Sequence, residues 1–451
     1  MKKSVAYKIA AFLITFSLLL IVSGKLLFLT DNVNLFLYAY GITVTFIIFL
    51  VFFVALKRYE DPYILAKENA FKNKKRPLVS LMVAVKNEER VIEECILSLI
   101  NQDYENKEII VVNDGSTDRT EAVLERFAKR KKIKLINLEE NIGKKKALGR
   151  AMLEAKGEIF AFTDSDSVIA SDAIARIVDI LNYDSEIGAV SGHCRAMNAG
   201  KNFLTKIQDS WYEGQFSVRK AFESYFGAVT CVSGPLAVFR KEAIFNYIPA
   251  WENDAFLGQE FRFATDRTLT GFVLGSRVLE KKLKERYADS PFIKIKNYEA
   301  RDWKIVYTRS ARAWTNVPDN FSRVFKQQVR WKKSFIRNIF FTGRFYWRKP
   351  ILPALIYYLH IVFVFVSPFI AFRHLVYIPI LGNIASGIAY LAGIVFIGFL
   401  FGFAYKLKNK DDYNKSRWIY RPLMSLFSTF FLSWLVYYSM FTIKKMIWSR
   451  N

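Results

Sequence analysis

Apolar residues along this chain are concentrated in long runs near its two ends. Val5–Phe28 and Val33–Leu56 lie near the N-terminus. Three more runs lie near the C-terminus, namely Ile351–Phe372, Leu375–Tyr405 and Leu423–Ile443. Each run is long enough to cross a hydrocarbon core of about 30 Å as a helix that rises about 1.5 Å per residue. The pattern therefore predicts membrane regions over residues 1–56 and 351–451.

Between these regions the pattern changes to short β-rich runs that alternate with amphipathic helical segments. Strands are predicted at Leu78–Val85, Glu108–Val112, Ile133–Leu138 and Ile159–Thr163, and helices at Glu89–Asn101, Asp118–Lys131, Lys144–Lys156 and Asp172–Asn182. Such alternation is typical of a Rossmann-like α/β domain with a parallel sheet. We therefore expect one domain over residues 57–319, with ligands bound beyond the carboxyl ends of its strands.

Two later segments, Asn202–Phe226 and Asn320–Trp347, combine a helical period with many aromatic residues. The second segment is also rich in Lys and Arg and contains no acid. This composition is typical of amphipathic helices that face anionic lipid headgroups. Residues 320–350 are therefore predicted to form an interface segment between the α/β domain and the C-terminal membrane region.

The charge of the chain indicates its partner and its orientation. A net charge of +25 is compatible with nucleic-acid binding, but the basic residues cluster beside apolar runs, which favours a lipid bilayer and no nucleic acid. Asp31 lies in the short loop between the first two runs, whereas Lys57 and Arg58 follow the second run. Because basic loops favour the cytosolic side, we expect a multi-pass protein of the cell membrane whose α/β domain is cytosolic.

Acidic residues directly follow two of the predicted strands. Asp114 follows the second strand, and Asp164 and Asp166 follow the fourth. Two carboxylates two residues apart can hold Mg²⁺ or Mn²⁺ and leave coordination positions for a diphosphate. Lys144 opens a predicted helix, where its ammonium and the free backbone N–H groups would suit a phosphate. A simple turn at Asp114 and a solvated basic turn at Lys144 are the alternatives.

Four motifs occur in a fixed order along the chain. They are Asn113-Asp114-Gly115, Asp164-Ser165-Asp166, Ala264-Thr265-Asp266 and Gln327-Gln328-Val329-Arg330-Trp331. The ordered set resembles the processive membrane-integrated family 2 glycosyltransferases, which include the synthases of cellulose, chitin and hyaluronan and the nodulation chitin-oligosaccharide synthase. The residues of several motifs are most similar to those of hyaluronan synthases. The resemblance implies a GT-A-type fold inserted between transmembrane helices.

The resemblance also implies roles for individual residues. Asp114, Lys144, Asp164, Gln327 and Arg330 would bind the nucleotide-sugar donor, and Asp166 would share a divalent cation with Asp164. Asp266 would be the catalytic base, although Thr265 stands where the family usually has a second acid. Cys231, Ser233, Gly234 and Trp331 would bind the acceptor. Trp448 and Arg450 match a C-terminal tail that lies near the nucleotide in that family.

These roles imply a processive inverting transferase that makes a β-linked polysaccharide at the cytosolic face. Hyaluronan synthase-like activity would use UDP-GlcNAc and UDP-glucuronate, with Mg²⁺ or Mn²⁺, and would need no obligatory protein partner. The alternatives are a chitin-like synthase that uses UDP-GlcNAc alone, a transferase that adds one sugar to a lipid, and a membrane scaffold with an inactive domain. Polar residues in the C-terminal spans are predicted to line a route for the product, namely His360, Ser367, Asn383 and Ser386.

Overall fold

The structure, a computed structural model, describes residues 35–69, 76–408 and 417–445. Ten strands are present in this part of the chain: β1 (Val79–Val85), β2 (Lys107–Asp114), β3 (Lys134–Leu138), β4 (Ile159–Phe162), β5 (Ser167–Ile169), β6 (Ile187–Ala196), β7 (Ala237–Arg240), β8 (Ala255–Phe256), β9 (Gln259–Glu260) and β10 (Lys304–Thr315). Eight of them form one sheet in the order β3-β2-β1-β4-β7-β6-β10-β5, and β8 and β9 form a separate hairpin.

Helices surround this sheet and extend from both of its ends in sequence. They are α1 (Leu35–Phe53), α2 (Pro62–Glu68), α3 (Ile92–Ile100), α4 (Thr120–Lys129), α5 (Lys144–Glu154), α6 (Ala173–Tyr183), α7 (Phe203–Gly214), α8 (Ala221–Tyr225), α9 (Lys241–Ile244), α10 (Ile248–Glu252), α11 (Thr265–Leu274), α12 (Ser276–Arg286), α13 (Pro291–Lys294), α14 (Phe321–Phe341), α15 (Ile351–Phe372), α16 (Ile378–Ile380), α17 (Ile384–Lys408), α18 (Tyr420–Phe427) and α19 (Leu435–Phe441).

The predicted strands and helices between residues 78 and 183 are confirmed, with small shifts at their ends. β1 is buried on both faces because Leu81 and Val83 enter one apolar cluster while Met82 and Ala84 enter another. Successive side chains of a strand point to opposite faces, so a continuous apolar run is the expected sequence of a central strand. β3, β2, β1 and β4 are mutually parallel, as predicted.

The other half of the sheet is mixed rather than parallel. β7 runs antiparallel to both β4 and β6, and β5 runs antiparallel to β10. The reversal arises because the chain leaves the sheet after β6, passes through α7 and α8, and returns between two strands that are already in place. The predicted Rossmann-like α/β class is therefore confirmed, with an antiparallel strand inserted beside β4.

Helices are present in the two segments predicted to be amphipathic, and they connect the sheet to the C-terminal helices. Their position at a membrane surface stays a prediction. α7 is largely buried because it packs against β6 on one side and α18 on the other. It continues through a π-helical turn, Gln215–Lys220, into α8. α14 begins at Asn320, whose side chain accepts a hydrogen bond from the Arg323 N–H at 3.0 Å, and it packs along α19.

Four helices are long and apolar enough to cross a membrane in the described part of the chain. They are Ala39–Glu68, Ile351–Ile380, Ile384–Phe403 and Arg417–Phe441. The predicted span Val5–Phe28 lies outside the described residues. The break between the first two C-terminal spans falls at Gly382, where φ is +93°, rather than near Arg373. Glycine adopts this left-handed conformation without steric cost.

The polar residues predicted to line a product route make different contacts in the structure. Asn383 accepts a hydrogen bond from the Ser386 N–H at 3.1 Å, and the Ser386 hydroxyl contacts the His374 ring at 2.9 Å. These contacts belong to the turn between two spans, and a role of these residues in a product route stays a prediction. His360 instead contacts the Arg219 guanidinium, which follows α7, at 2.9 Å.

Candidate active site

Asp114 organises the turn that leads into α5. Its two carboxylate oxygens accept hydrogen bonds from the backbone N–H groups of Ile142 at 2.8 Å and Gly143 at 3.1 Å. Burial raises the pKa of Asp114, while these two N–H donors oppose that effect. The side chain lies at the carboxyl end of β2, as predicted, and it fixes the start of the helix that carries Lys144.

Asp164 and Asp166 lie just beyond the carboxyl end of β4, also as predicted. The Lys144 ammonium forms an ion pair with Asp164. Asp166 is more deeply placed and accepts a hydrogen bond from the Thr315 hydroxyl, at the end of β10, at 3.3 Å. Burial and then the charge of Asp164 raise the pKa of Asp166 to about 6. A bound cation would offset the repulsion between two carboxylates that lie this close.

The residues at this position fit a divalent cation that is shared with a phosphate ligand. Within the described ranges, no group of three or more His, Cys, Asp and Glu side chains is arranged to enclose a metal ion by itself. Asp164 and Asp166 offer hard oxygen ligands, which Mg²⁺ and Mn²⁺ prefer, and these ions commonly complete their coordination with phosphate and water.

The three consecutive lysines at the start of α5 point to three different acids. Lys144 contacts Asp164, Lys145 contacts Asp254 at 2.7 Å, and Lys146 contacts Glu260 at 3.1 Å. Burial lowers the pKa of Lys145 to about 8. Only Lys144 therefore serves the carboxylate pair, and its neighbour Lys145 belongs to a buried structural ion pair.

Asp266 lies in the first turn of α11, beside the loop of residues 231–234. Its Oδ1 accepts a hydrogen bond from the Arg267 N–H at 2.8 Å. Its Oδ2 faces the Gly234 N–H at 3.4 Å and the Cys231 thiol at 3.5 Å. The structure thus brings together three residues that the sequence analysis had assigned to the base and the acceptor loop.

Gly234 lies directly between the two groups of carboxylates. A Cβ atom at this position would stand 2.9 Å from Asp164 Oδ2, closer than such contacts normally occur. The same residue donates its N–H toward Asp266. Glycine is therefore required for the loop to approach Asp164 and Asp266 at once.

α14 brings Gln327, Arg330 and Trp331 to the same region. Burial lowers the pKa of Arg330, whereas the nearby charges of Asp164 and Asp166 act in the opposite direction. The Trp331 ring stacks on Trp211, with centroids 5.5 Å apart and planes 19° from parallel, so one of its faces is already covered. The Gln327 side-chain oxygen is buried and accepts no hydrogen bond from any described residue. Trp448 and Arg450 lie outside the described residues.

Several residues at this site were not identified from the sequence. Lys220 donates to the loop of residues 231–234, and Thr315 donates to Asp166. Trp211 and Tyr212 pack on Trp331. The aromatic composition of Asn202–Phe226 signalled an interface helix but not this packing. Thr315 and Lys220 carry no recognisable motif, since each reaches the site through long-range packing.

The Rossmann-like sheet thus places an acidic pair at the end of a central strand and a second acid across a glycine loop. Residues 80–247 match the profile of Glycosyl transferase family 2. The matched region begins in β1 and includes Asp114, Asp164, Asp166 and Gly234, so this part of the chain is similar to a family 2 glycosyltransferase domain.

Curated proteins of this kind align with much of the chain. An N-acetylglucosaminyltransferase of Rhizobium meliloti is 30% identical over 300 residues, which are 66% of this chain and 60% of that protein. The match thus spans about three fifths of that relative. A hyaluronan synthase of Streptococcus pyogenes is 27% identical over 366 residues, which are 79% of each chain. Among solved structures, a mannosyltransferase of Pyrobaculum calidifontis in complex with GDP-Man and Mn²⁺ is 21% identical, with a TM-score of 0.47 over 87% of this chain and 98% of that one.

Proposed function

We propose that this protein is a processive, inverting glycosyltransferase that elongates a β-linked polysaccharide from UDP-sugars. The observation that supports this most strongly is the position of Gly234 between Asp164, on the donor side, and Asp266, on the acceptor side. A donor phosphate and an acceptor hydroxyl could then meet across one loop. The hyaluronan synthase and N-acetylglucosaminyltransferases among the relatives favour UDP-GlcNAc as a donor, with UDP-glucuronate as the second.

The donor would bind at the carboxyl ends of β2 and β4. Asp114 would bind the nucleoside, and Lys144 and Arg330 would contact the diphosphate. Gln327 would accept a hydrogen bond from the donor through its buried side-chain oxygen. Trp448 and Arg450 would complete the nucleotide site from the tail. Asp164 and Asp166 would hold Mg²⁺ or Mn²⁺, which when bound would neutralise charge on the UDP leaving group.

Asp266 would act as the general base. Its carboxylate would take the proton of an acceptor hydroxyl while that oxygen forms a bond to the anomeric carbon and the bond from this carbon to UDP breaks. A single displacement of this kind inverts the anomeric configuration and needs no carboxylate nucleophile, unlike the two-step retaining reaction. The acceptor would rest against Cys231, Ser233, Gly234 and the uncovered part of Trp331.

The membrane would be part of the same machinery. The structure has four candidate spans among its described residues, and α14 packs directly along α19. The basic residues Lys57 and Arg58 follow the apolar part of the first described span and favour a cytosolic α/β domain. The growing polysaccharide would then leave the site toward the membrane helices beside α14.

A donor screen with product sizing tests this proposal. Purified full-length protein is incubated with Mn²⁺ and UDP-GlcNAc, with and without UDP-glucuronate, and the product is sized by gel, with Asp266→Asn as the inactive control. We expect a long polymer that forms only with both donors and is digested by hyaluronidase. Failure to release UDP from any donor would contradict the enzymatic proposal and favour a scaffold role.

A second candidate is a chitin-like synthase that uses UDP-GlcNAc alone. The N-acetylglucosaminyltransferase relatives, at 30% identity, are the observation that favours it. A polymer formed from UDP-GlcNAc alone would identify this activity. A product with a single sugar on a lipid would contradict processive synthesis altogether.

A further inference from the structure

We propose that Lys220 is a positioning residue that clamps the loop of residues 231–233 and thereby holds Cys231 and Gly234 against Asp266. The inference rests on the proposed function for its catalytic consequence, but the clamp itself is a property of the fold. Lys220 ends the π-helical turn between α7 and α8, and its side chain is 9% exposed.

The Lys220 ammonium donates three hydrogen bonds to neutral oxygens in or beside this loop. It donates to the Ser191 hydroxyl at 2.9 Å, to the Cys231 carbonyl at 2.5 Å and to the Ser233 hydroxyl at 2.7 Å. An ammonium has three donors and no acceptor, so the set is complete. These bonds tie β6, which contains Ser191, to both ends of the short segment 231–233.

The charge of Lys220 is held without a direct ion pair. None of the ion pairs among the described residues involves its ammonium. The charges of Glu223 and Asp266 act on it from farther away, and the ring of Phe216 lies 4.6 Å from it, in a cation–π arrangement. A buried cation is costly unless its donors are satisfied. A neutral apolar side chain would avoid that cost, so the lysine is best explained by the loop geometry that its three bonds enforce.

Glu223, three residues after Lys220, holds the residue that precedes Cys231. The Glu223 carboxylate accepts hydrogen bonds from the Thr230 N–H at 2.9 Å and from the Thr230 hydroxyl at 2.9 Å. The Ser191 hydroxyl also accepts from the Ser233 N–H at 3.3 Å. The loop is thus fixed from Thr230 to Ser233, and the next residue, Gly234, presents its N–H to Asp266.

Loss of this clamp should disturb the acceptor side and spare the donor side. Cys231 and Gly234 would shift relative to Asp266, whereas the three hydrogen bonds of the ammonium go to Ser191, Cys231 and Ser233 and not to the residues at the ends of β2 and β4. Misplacement of reacting groups by about 1 Å can lower turnover by about 10²-fold. We therefore expect Lys220→Met to lower kcat by about 10²-fold and to change the donor KM by less than about threefold.

Thiol labelling tests the clamp without relying on activity. The chain has three cysteines, of which Cys95 and Cys194 are buried and Cys231 is partly exposed. Burial raises the pKa of Cys231 to about 12, whereas the charge of Lys220 acts in the opposite direction. Loss of that charge alone would therefore slow the reaction of the thiol, and only an opened loop would accelerate it. We expect Lys220→Met to accelerate maleimide labelling at Cys231, located by mass spectrometry, by about tenfold or more. Lys220→Arg, which keeps the charge and donors, should restore part of the slow rate.

Lys241→Met is the matched control. Lys241 is also partly buried, lies 4.8 Å from the ring of Phe245 and donates to the Ala155 carbonyl at 3.2 Å, but it does not touch the loop. Its replacement should leave the labelling rate of Cys231 and the kcat unchanged.

The outcomes separate the clamp from the proposed function. A wild-type labelling rate in Lys220→Met, or donor binding lost in step with turnover, would overturn the inference. If Lys220→Met does not fold, Ser191→Ala and Ser233→Ala each remove one acceptor of the ammonium, and wild-type labelling in both would overturn it equally. Wild-type protein without any UDP-sugar turnover would refute the proposed function, while the labelling rates would still decide whether Lys220 holds the loop.

Discussion

At the scale of single residues, the site depends on how closely charged groups approach one another. Gly234 allows a backbone segment to lie between Asp164 and Asp266, and Thr315 gives Asp166 a neutral hydrogen-bond donor. Asp164 and Asp166 could be placed at a strand end from the sequence, because an apolar run followed by carboxylates marks that position. The ion pair from Lys144 to Asp164 could not be foreseen, since it depends on where α5 starts relative to β4.

The acidic pair leads to a prediction for metal-dependent binding. Asp166→Asn removes one of the two hard oxygen ligands, so Mn²⁺ should no longer strengthen UDP binding, while the protein should still fold. Calorimetric titration of purified protein with UDP, with and without Mn²⁺, measures this. Asp172→Asn, which alters a partly exposed ion pair with Arg176, is the control and should bind like the wild type. Retained Mn²⁺-dependent binding in Asp166→Asn would rule out Asp166 as a main ligand.

Glu252 gives a prediction for the pH dependence of stability. A Cβ atom at Gly149 would almost coincide with the Glu252 carboxyl, which therefore lies directly on α5. Burial raises the pKa of Glu252 from 4.5 to about 7, against the opposing charges of Arg150 and Lys146. The folded protein thus holds the proton more tightly than the unfolded chain, and ionisation of Glu252 removes stability as the pH rises from 4.5 to about 7.

Glu252→Gln should therefore stabilise the protein only at higher pH. We expect no gain in Tm below about pH 4.5 and a full gain above pH 7, equivalent to about 1–3 kcal/mol because the group is only partly buried. Thermal unfolding of both proteins across this pH range measures the difference. A Tm difference that stays constant with pH would contradict the assignment of the raised pKa.

At the scale of elements, one buried acid joins three parts of the domain. Asp254, which precedes the β8–β9 hairpin, contacts Lys145 of α5 at 2.7 Å and the Arg337 Nε of α14 at 3.1 Å. Lys145 also donates to the Phe261 carbonyl, at the other end of the hairpin, at 2.8 Å. α5 and α14 are therefore fixed relative to each other through Asp254.

Removal of this acid should destabilise the domain strongly. Asp254→Asn leaves Lys145 and Arg337 buried without their shared counter-charge, a change that typically costs about 3–5 kcal/mol. We expect the Tm of the purified protein to fall by about 5 °C or more. The control is Asp302→Asn, which breaks an exposed ion pair with Arg277 at 3.1 Å and should shift the Tm by less than about 1 °C. Equal, small shifts in both variants would show that Asp254 does not join these elements.

The elements themselves were predictable to different degrees. β1, β2 and β4 were predicted because each is a buried apolar run between turn residues, and α3 to α6 because each has a clear helical period. The reversed strand β7 and the short helices between Lys241 and Lys294 were not predicted. Ala237–Arg240 has the composition of any short strand, and only its partners β4 and β6 determine its direction.

At the scale of the whole molecule, α7 and α14 connect the α/β domain to the C-terminal helices. On α7, Asp209 accepts a hydrogen bond from Arg417 at 2.6 Å, just before α18. On α14, the Val329 carbonyl accepts from Ser439 of α19 at 3.4 Å, and Lys333 donates to the Lys445 carbonyl at 2.6 Å. Val329 and Lys333 are four residues apart and share one face of α14, whereas Trp331 points away from that face and packs on Trp211 and Tyr212. α14 thus contacts the C-terminal helices on one face and presents Trp331 on another.

This arrangement predicts how Trp331 affects the product. A transferase that adds one sugar needs only a donor site and an acceptor hydroxyl, whereas a polymerase must keep the chain in place after each addition. Because Trp331 packs on the rings of Trp211 and Tyr212 and not on the carboxylates proposed to bind the donor, Trp331→Ala should shorten the polymer while UDP affinity stays within about threefold of wild type. Gel sizing of the product and UDP titration measure the two effects.

Trp347→Ala is the matched control for this prediction. Trp347 follows α14 in the same basic and aromatic segment, but its ring is exposed and its indole N–H donates to the Arg344 carbonyl at 3.1 Å. Its replacement should leave the product length unchanged, because an exposed ring that does not pack on Trp211 or Trp331 should not contact the acceptor. If both variants shorten the product equally, membrane anchoring by aromatic residues explains the effect; if Trp331→Ala makes polymer of full length, Trp331 does not hold the growing chain.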